Sequence, residues 1–203
     1  MTITSLAPGD NGDDGAPERE TIALATPQDV LAFWFEELTP EDWFMKKDAT
    51  DEAIRQRFAA THLHLAKSVL PAWRETAEAR LALIIVLDQF PRNIYRDTPL
   101  AFATDGLALR EARAVVREGH DKAIDAERRV FFYMPFEHAE NLADQKRSVD
   151  LISALGNETY TDYAERHRDV IAKYGRFPHR NAILGRTSTL AEERYLAEPG
   201  SGF

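Results

Sequence analysis

The chain contains no cysteine among its 203 residues. That absence removes disulfides, thiolate zinc sites, cysteine nucleophiles and cysteine-held iron-sulfur clusters together. Excess positive charge is also missing: 25 basic side chains stand against 34 acidic ones, for a formal net charge of -9 and a sequence pI near 5.2. A chain with that balance has no long-range attraction to phosphate backbones or anionic lipid, so no nucleic-acid or membrane partner is expected. No apolar run approaches the roughly eighteen residues of a membrane span, and the N-terminus lacks a basic-then-apolar leader profile. The expectation is a cytoplasmic protein. Gly-rich phosphate loops and a Gly-x-Ser-x-Gly turn are absent too, and no two histidines stand three or four apart on a helix as metal motifs require. No cofactor and no metal are therefore expected.

What is present is a globular composition, 44% hydrophobic and 29% charged, sufficient for a substantial core. Residues 1–25 read as a disordered acidic tail, because Gly9, Gly12, Gly15, Pro8 and Pro17 are interspersed with five acidic residues and only Arg19. Residues 26–203 read as a single helical domain. Thr26-Pro27 and Thr39-Pro40 each place a capping hydroxyl before a proline at the first helical position. A third helix should open at Thr50, with Ile54, Phe58, His62, Leu65 and Val69 at helical spacing, and stop at Pro71.

Leu81 to Leu87 is wholly apolar and is assigned to helix because its neighbours are helical. Further helices are expected from Asp105 to about Arg117 with Gly119 as the stop, and from Asp125 to about Met134 with Pro135 as a kink or end. Another should run from Glu137 to Leu155, followed by one with Tyr160, Tyr163, His167, Ile171 and Tyr174 as its stripe and Gly175 as terminator. Thr189 and Glu192 have capping-box spacing for a last short helix. The fold class is all-α, with antiparallel helix hairpins stacked as a tetratricopeptide-like array or a compact bundle.

Three segments concentrate residues that a helical scaffold does not need: Asp88 to Arg96, Phe131 to Glu140, and Gly175 to Arg186. Phe90-Pro91-Arg92-Asn93 is echoed by Phe177-Pro178-His179-Arg180-Asn181, each directly after a helix. Guanidinium forks and amides gathered at one end of a hairpin stack suit a carboxylate or phosphate. The ligand-binding candidates are Arg92, Asn93, Glu137, Arg176, Arg180, Asn181 and Arg186. His138 and His179 sit beside proline breaks and are the candidate proton-transfer groups. His167, on an apolar stripe, reads as a core imidazole with a hydrogen-bond partner. Phe33-Trp34-Phe35, Trp43-Phe44 and Phe131-Phe132-Tyr133 read as core aromatics buried from two sides, with a homodimer as the expected assembly.

Phe33-Trp34-Phe35, Trp43-Phe44, the run from Leu87 to Asn93, Phe136-Glu137-His138 and the run from Gly175 to Asn181 together resemble a bacterial family of uncharacterised all-helical proteins. The resemblance covers about residues 28 to 197. It implies a fold similar to tetratricopeptide arrays and supplies no activity. Two functions stay open at this point: a pocket for an anionic small molecule, with or without acid/base chemistry, and a scaffold that grips a peptide or partner protein. A pocket requires the polar motifs to converge on one hollow, whereas a scaffold spreads them along a groove. If the motifs serve only to join the hairpins, each arginine is satisfied by a carboxylate or carbonyl.

Overall fold

The computed structural model describes residues 23–202, and the acidic tail lies outside them except for its last three residues. All regular structure among the described residues is helical. The chain runs through α1 (Pro27–Ala32), α2 (Pro40–Phe44), α3 (Asp48–Lys67), α4 (Ala77–Ile84) and α5 (Phe90–Ile94). It continues through α6 (Asp105–Glu118), α7 (Ala126–Glu137), α8 (Leu142–Ser153), α9 (Glu158–Tyr174) and α10 (Leu190–Leu196). The pairs α6/α7, α7/α8 and α8/α9 pack as sequential neighbours. Their connections are a few residues long, which sets them antiparallel. No helix among the described residues is long and apolar enough to cross a membrane.

Local sequence starts and stops these helices. Thr26 and Thr189 close capping boxes with Asp29 and Glu192, and Thr39 does so with Asp42. Gly119 and Gly175 end α6 and α9 with φ of 77° and 71°, the left-handed geometry that a Cβ disfavours. Helix α3 opens at Asp48 rather than Thr50 and ends at Lys67, so Pro71 starts a separate 3-10 turn instead of stopping the helix.

The larger difference lies around Pro135. Helix α7 passes through it to Glu137, and the chain then leaves helical geometry until Asn141. Proline removes the hydrogen bond its missing N–H would make and crowds the carbonyl one turn back, and here burial of the whole run Val130–Glu137 carries the helix through it. Asn141, not Glu137, opens α8, because its side chain accepts from Ala143 N at 2.9 Å and Asp144 N at 3.2 Å.

The core is centred on α4. Leu81, Ala82, Leu83, Ile84, Ile85, Val86 and Leu87 are all essentially inaccessible, as expected for a helix apolar on every side. It packs on α1, α6 and α7. Trp34 meets Phe131 edge-on at 5.7 Å, and Trp43 donates from Nε1 to Trp34 O at 2.7 Å. Phe33, Phe58 and Phe90 fill the adjoining layer. Phe44 departs from the expected aromatic core: it is 56% exposed, at the end of the short helix α2.

The αL position of Gly175 generates a stability prediction. A Cβ there meets no neighbour within 4 Å, so only backbone strain opposes it. Gly175→Ala should lower unfolding free energy by about 1 kcal/mol, as read from the urea midpoint at unchanged slope. No loss would mean that the turn relaxes freely.

Candidate functional site

The site begins with an irregularity in the most buried stretch of the chain. Between α4 and α5 the backbone makes one π-helical turn, Ile85–Gln89, without breaking the helical path. Such an insertion shifts the register of the next helical turns and is frequent at functional positions. Here Asp88, Gln89 and Phe90 are buried in succession, and Asp88 is completely inaccessible.

A buried carboxylate needs partners, and Asp88 has several. His138, at the end of α7, approaches through Nδ1 at 2.9 Å from Oδ1 and 3.0 Å from Oδ2. Gln89 donates from Nε2 to Oδ2 at 2.6 Å. Arg92, one turn further on, donates to the Asp88 main-chain carbonyl and lies 3.5 Å from Oδ1. Burial pushes the Asp88 carboxyl up, but the positive charge of its partners and their hydrogen bonds outweigh this and hold it below the usual carboxylate range. Burial and the Arg92 guanidinium push the His138 imidazole down. Nδ1 is the ring nitrogen that faces both carboxylate oxygens, and Nε2 is turned away from them.

Asp105 joins the third polar segment to this centre. It opens α6 and accepts both Nη groups of Arg92, at 3.0 and 3.1 Å. Arg180 reaches the same carboxylate, Nη1 to Oδ2 at 3.3 Å. Arg180 is 7% exposed and lies over the rings of Phe102 and Phe177, each 4.6 Å away. Burial, reinforced by the charge of Arg92, pulls its guanidinium down to about 10. Thr104 fixes the start of α6 by donating to Leu87 O at 2.7 Å, and His62 Nε2 lies 3.2 Å from the same hydroxyl. Since that hydroxyl gives its proton to the carbonyl, it accepts from His62, whose ring burial holds down to about 4.

Glu137 and His167 form a second buried pair, Oε1 to Nδ1 at 3.0 Å. The His167 Nδ1 is also 2.8 Å from Tyr163 O, an atom that only accepts, so Nδ1 carries the proton. Burial drives His167 down to about 3, and burial with the nearby Asp88 charge drives Glu137 up to about 8. At neutral pH both are uncharged. The His138 and His167 ring centroids are 6.5 Å apart.

The remaining candidates fall in other places. His179 rests against Phe177 at 5.5 Å, and burial together with Arg180 pushes it down to about 4. Asn93 turns to Asp51, which also takes both arms of Arg96. Arg176 forks onto Glu192 at 2.6 and 2.8 Å and donates to Thr187 O. Arg186 forks onto Glu140 at 2.7 and 2.9 Å, and Glu140 also accepts Phe177 N–H at 2.7 Å. Asn181 accepts from Arg186 Nε and donates to Ser188 Oγ. Arg176, Asn181 and Arg186 thus tie down the chain after α9, whereas Arg92 and Arg180 meet at Asp105.

Asp105, which the sequence marks only as a helix start, and Phe102 are residues of this centre that sequence reasoning omits. Asp88 carries a usable signal, an acid closing an apolar helix four residues before Arg92. Among the described residues no group of three or more histidines and carboxylates is arranged to hold a metal ion. Two open surface recesses, one beside Arg166 and Tyr195 and one beside Ser153 and Glu158, are lined by none of the residues of this centre.

A family model described as "Bacterial protein of unknown function (DUF924)" matches residues 30–200, and the chain belongs to that family. No curated protein matches the chain. It is similar to the solved structure of ATU0120 from Agrobacterium tumefaciens, a protein of unknown function. The TM-score is 0.80 and the identity 45%, covering 84% of this chain and 96% of that one.

The burial of these groups has measurable consequences for stability. Glu137 is held above its unfolded value, so its contribution is complete at low pH and is lost as pH rises through about 8. His62, His167 and His179 are depressed, so their contribution grows as pH rises through about 6.5 and levels off about a unit above it. Above about pH 7.5 the Glu137 effect dominates: unfolding free energy should fall as pH rises toward about 8.5, and Glu137→Gln should flatten that slope. An unchanged slope in the variant would show that Glu137 ionises normally. Separately, Asp88→Ala should cost about 3 to 5 kcal/mol in chemical denaturation, and a loss below about 1 kcal/mol, the range of an exposed pair, would mean that the carboxylate is solvated.

Proposed function

We propose that this centre binds a small anionic molecule and moves a proton on it. Arg92 and Arg180 hold the anion, and His138, oriented by Asp88, is the proton-transfer group. The observation that carries the reading is the Asp88–His138 pair. A fully buried carboxylate takes the Nδ1–H of the ring with both oxygens, which fixes the tautomer and leaves Nε2 as the basic nitrogen. Environments that push neighbouring titratable groups apart, an ionised Asp88 beside a protonated Glu137, are the arrangement by which acid and base roles are divided at one pH. The two arginines put fixed positive charge beside the ring, where an anion would be stabilised.

A purely structural reading is favoured by one feature: Arg92 and Arg180 already reach the same carboxylate, Asp105, so both guanidiniums have a role in joining α5, α6 and the turn after α9. The two readings separate experimentally. A thermal-shift screen of wild-type protein against carboxylated and phosphorylated metabolites should find a compound that stabilises the fold by about 2.7 kcal/mol at one hundred times its dissociation constant. Arg180→Lys, while still folded, should respond to it much less. If nothing stabilises the wild type and the arginine variants merely melt earlier, the polar centre is a joint and no ligand site.

A further inference from the structure

Arg180 differs from Arg92, Arg96, Arg176 and Arg186 in how little of it is engaged. Each of those four presents two nitrogens to a carboxylate. Among the described residues, Arg180 has one hydrogen bond, from Nη1, and at 3.3 Å it is long for a charge-assisted contact. Its Nε is buried and donates to no atom of the described residues. The side chain is more than nine-tenths buried, so bulk water does not supply the acceptor. A buried donor left without one is costly. The Phe102 and Phe177 rings, 4.6 Å from the guanidinium carbon, restrict its plane and so fix the direction in which the Nε and Nη2 edge points.

We infer that this edge binds a carboxylate, its two oxygens taken side-on by Nε and Nη2 of Arg180, so that the anion bound by the centre is a carboxylate-bearing small molecule. The inference deepens the proposed function and rests on it. Charge favours carboxylate over phosphate. The planar fork of a guanidinium matches the planar carboxylate in a bidentate pair. As to charge, the acids Asp88, Asp105 and Glu140 are already matched by the guanidiniums of Arg92, Arg180 and Arg186, so a bound carboxylate adds one negative charge to this buried setting and a phosphate dianion adds two.

The test reads the atom concerned. In ¹H–¹⁵N spectra of the full chain, the Arg180 Nε–Hε signal is assigned by its loss in Arg180→Lys. The protein is titrated with benzoate, hexanoate, their neutral amides and inorganic phosphate. At least one carboxylate should move the Arg180 signal saturably, and its amide should not. Arg180→Lys, which keeps the charge but loses the edge, should bind that carboxylate about tenfold or more weakly, and phosphate should bind more weakly than the carboxylate. The inference is overturned if no carboxylate moves the signal, if phosphate binds as tightly as the best carboxylate, or if Arg180→Lys binds like wild type. His138→Gln separates the two claims. A carboxylate that shifts Arg180 in wild type and variant alike, with no change in His138 titration, ends the proton-transfer reading and leaves the binding edge standing. A ligand that perturbs His138 but never Arg180 does the reverse.

Discussion

A negative charge sealed inside a helical core sets the terms for the rest of this molecule. Asp88 has no contact with solvent, and an isolated ionised carboxylate in such a place would cost far more than a domain's net stability. It is tolerated because α5 supplies Arg92, α7 supplies His138 and the adjacent Gln89 supplies its amide. Each partner belongs to a different part of the chain or a different turn, so satisfying one carboxylate fixes how those parts sit together. Asp105 repeats the device at the start of α6, where it gathers Arg92 and Arg180. Two acids thereby bring the ends of α4, α5, α6 and α7 and the turn after α9 to one point.

The chain prefers arginine to lysine, nineteen to six, and several of those arginines act as joints. Arg74 closes on Glu111, Arg96 on Asp51, Arg176 on Glu192 and Arg186 on Glu140. In each, a planar fork meets a carboxylate carried by another element, the geometry for which arginine is suited and lysine is not. The centre around Asp88 differs in its side chains: an imidazole, His138, against the carboxylate, a glutamate, Glu137, that burial pushes up to about 8, and a guanidinium, Arg180, that engages its carboxylate through one nitrogen. All-helical architecture by itself says nothing about function.

Helix punctuation is readable in the sequence because it is local. Thr26, Thr39, Thr189, Gly119 and Gly175 act through their own backbone neighbours, and the structure places each where capping chemistry requires. Pro135 misleads for the same reason. Its local cost is large, about 3 kcal/mol, and tertiary burial of Phe131, Phe132 and Phe136 outweighs it. The π-helical turn at Ile85–Gln89 leaves no trace in composition, since an apolar run has no periodicity to break. The site is legible only in part. Arg92, His138 and Arg180 stand out by residue type beside prolines. That Arg176 and Arg186 instead secure the C-terminal segment, and that Asp105 links Arg92 to Arg180, depends on contacts thirteen to seventy-five residues apart, which no window of sequence contains.

The proposed function turns on Asp88 accepting Nδ1–H of His138 and so leaving Nε2 bare. Long-range ¹H–¹⁵N correlation of the His138 ring at neutral pH measures this directly, because protonated and bare ring nitrogens resonate far apart. A protonated Nδ1 and a bare Nε2 are expected, a tautomer that should be lost when Asp88 is replaced by Ala. A ring protonated at Nε2 with Nδ1 bare would place the proton of the pair on Asp88 and contradict it.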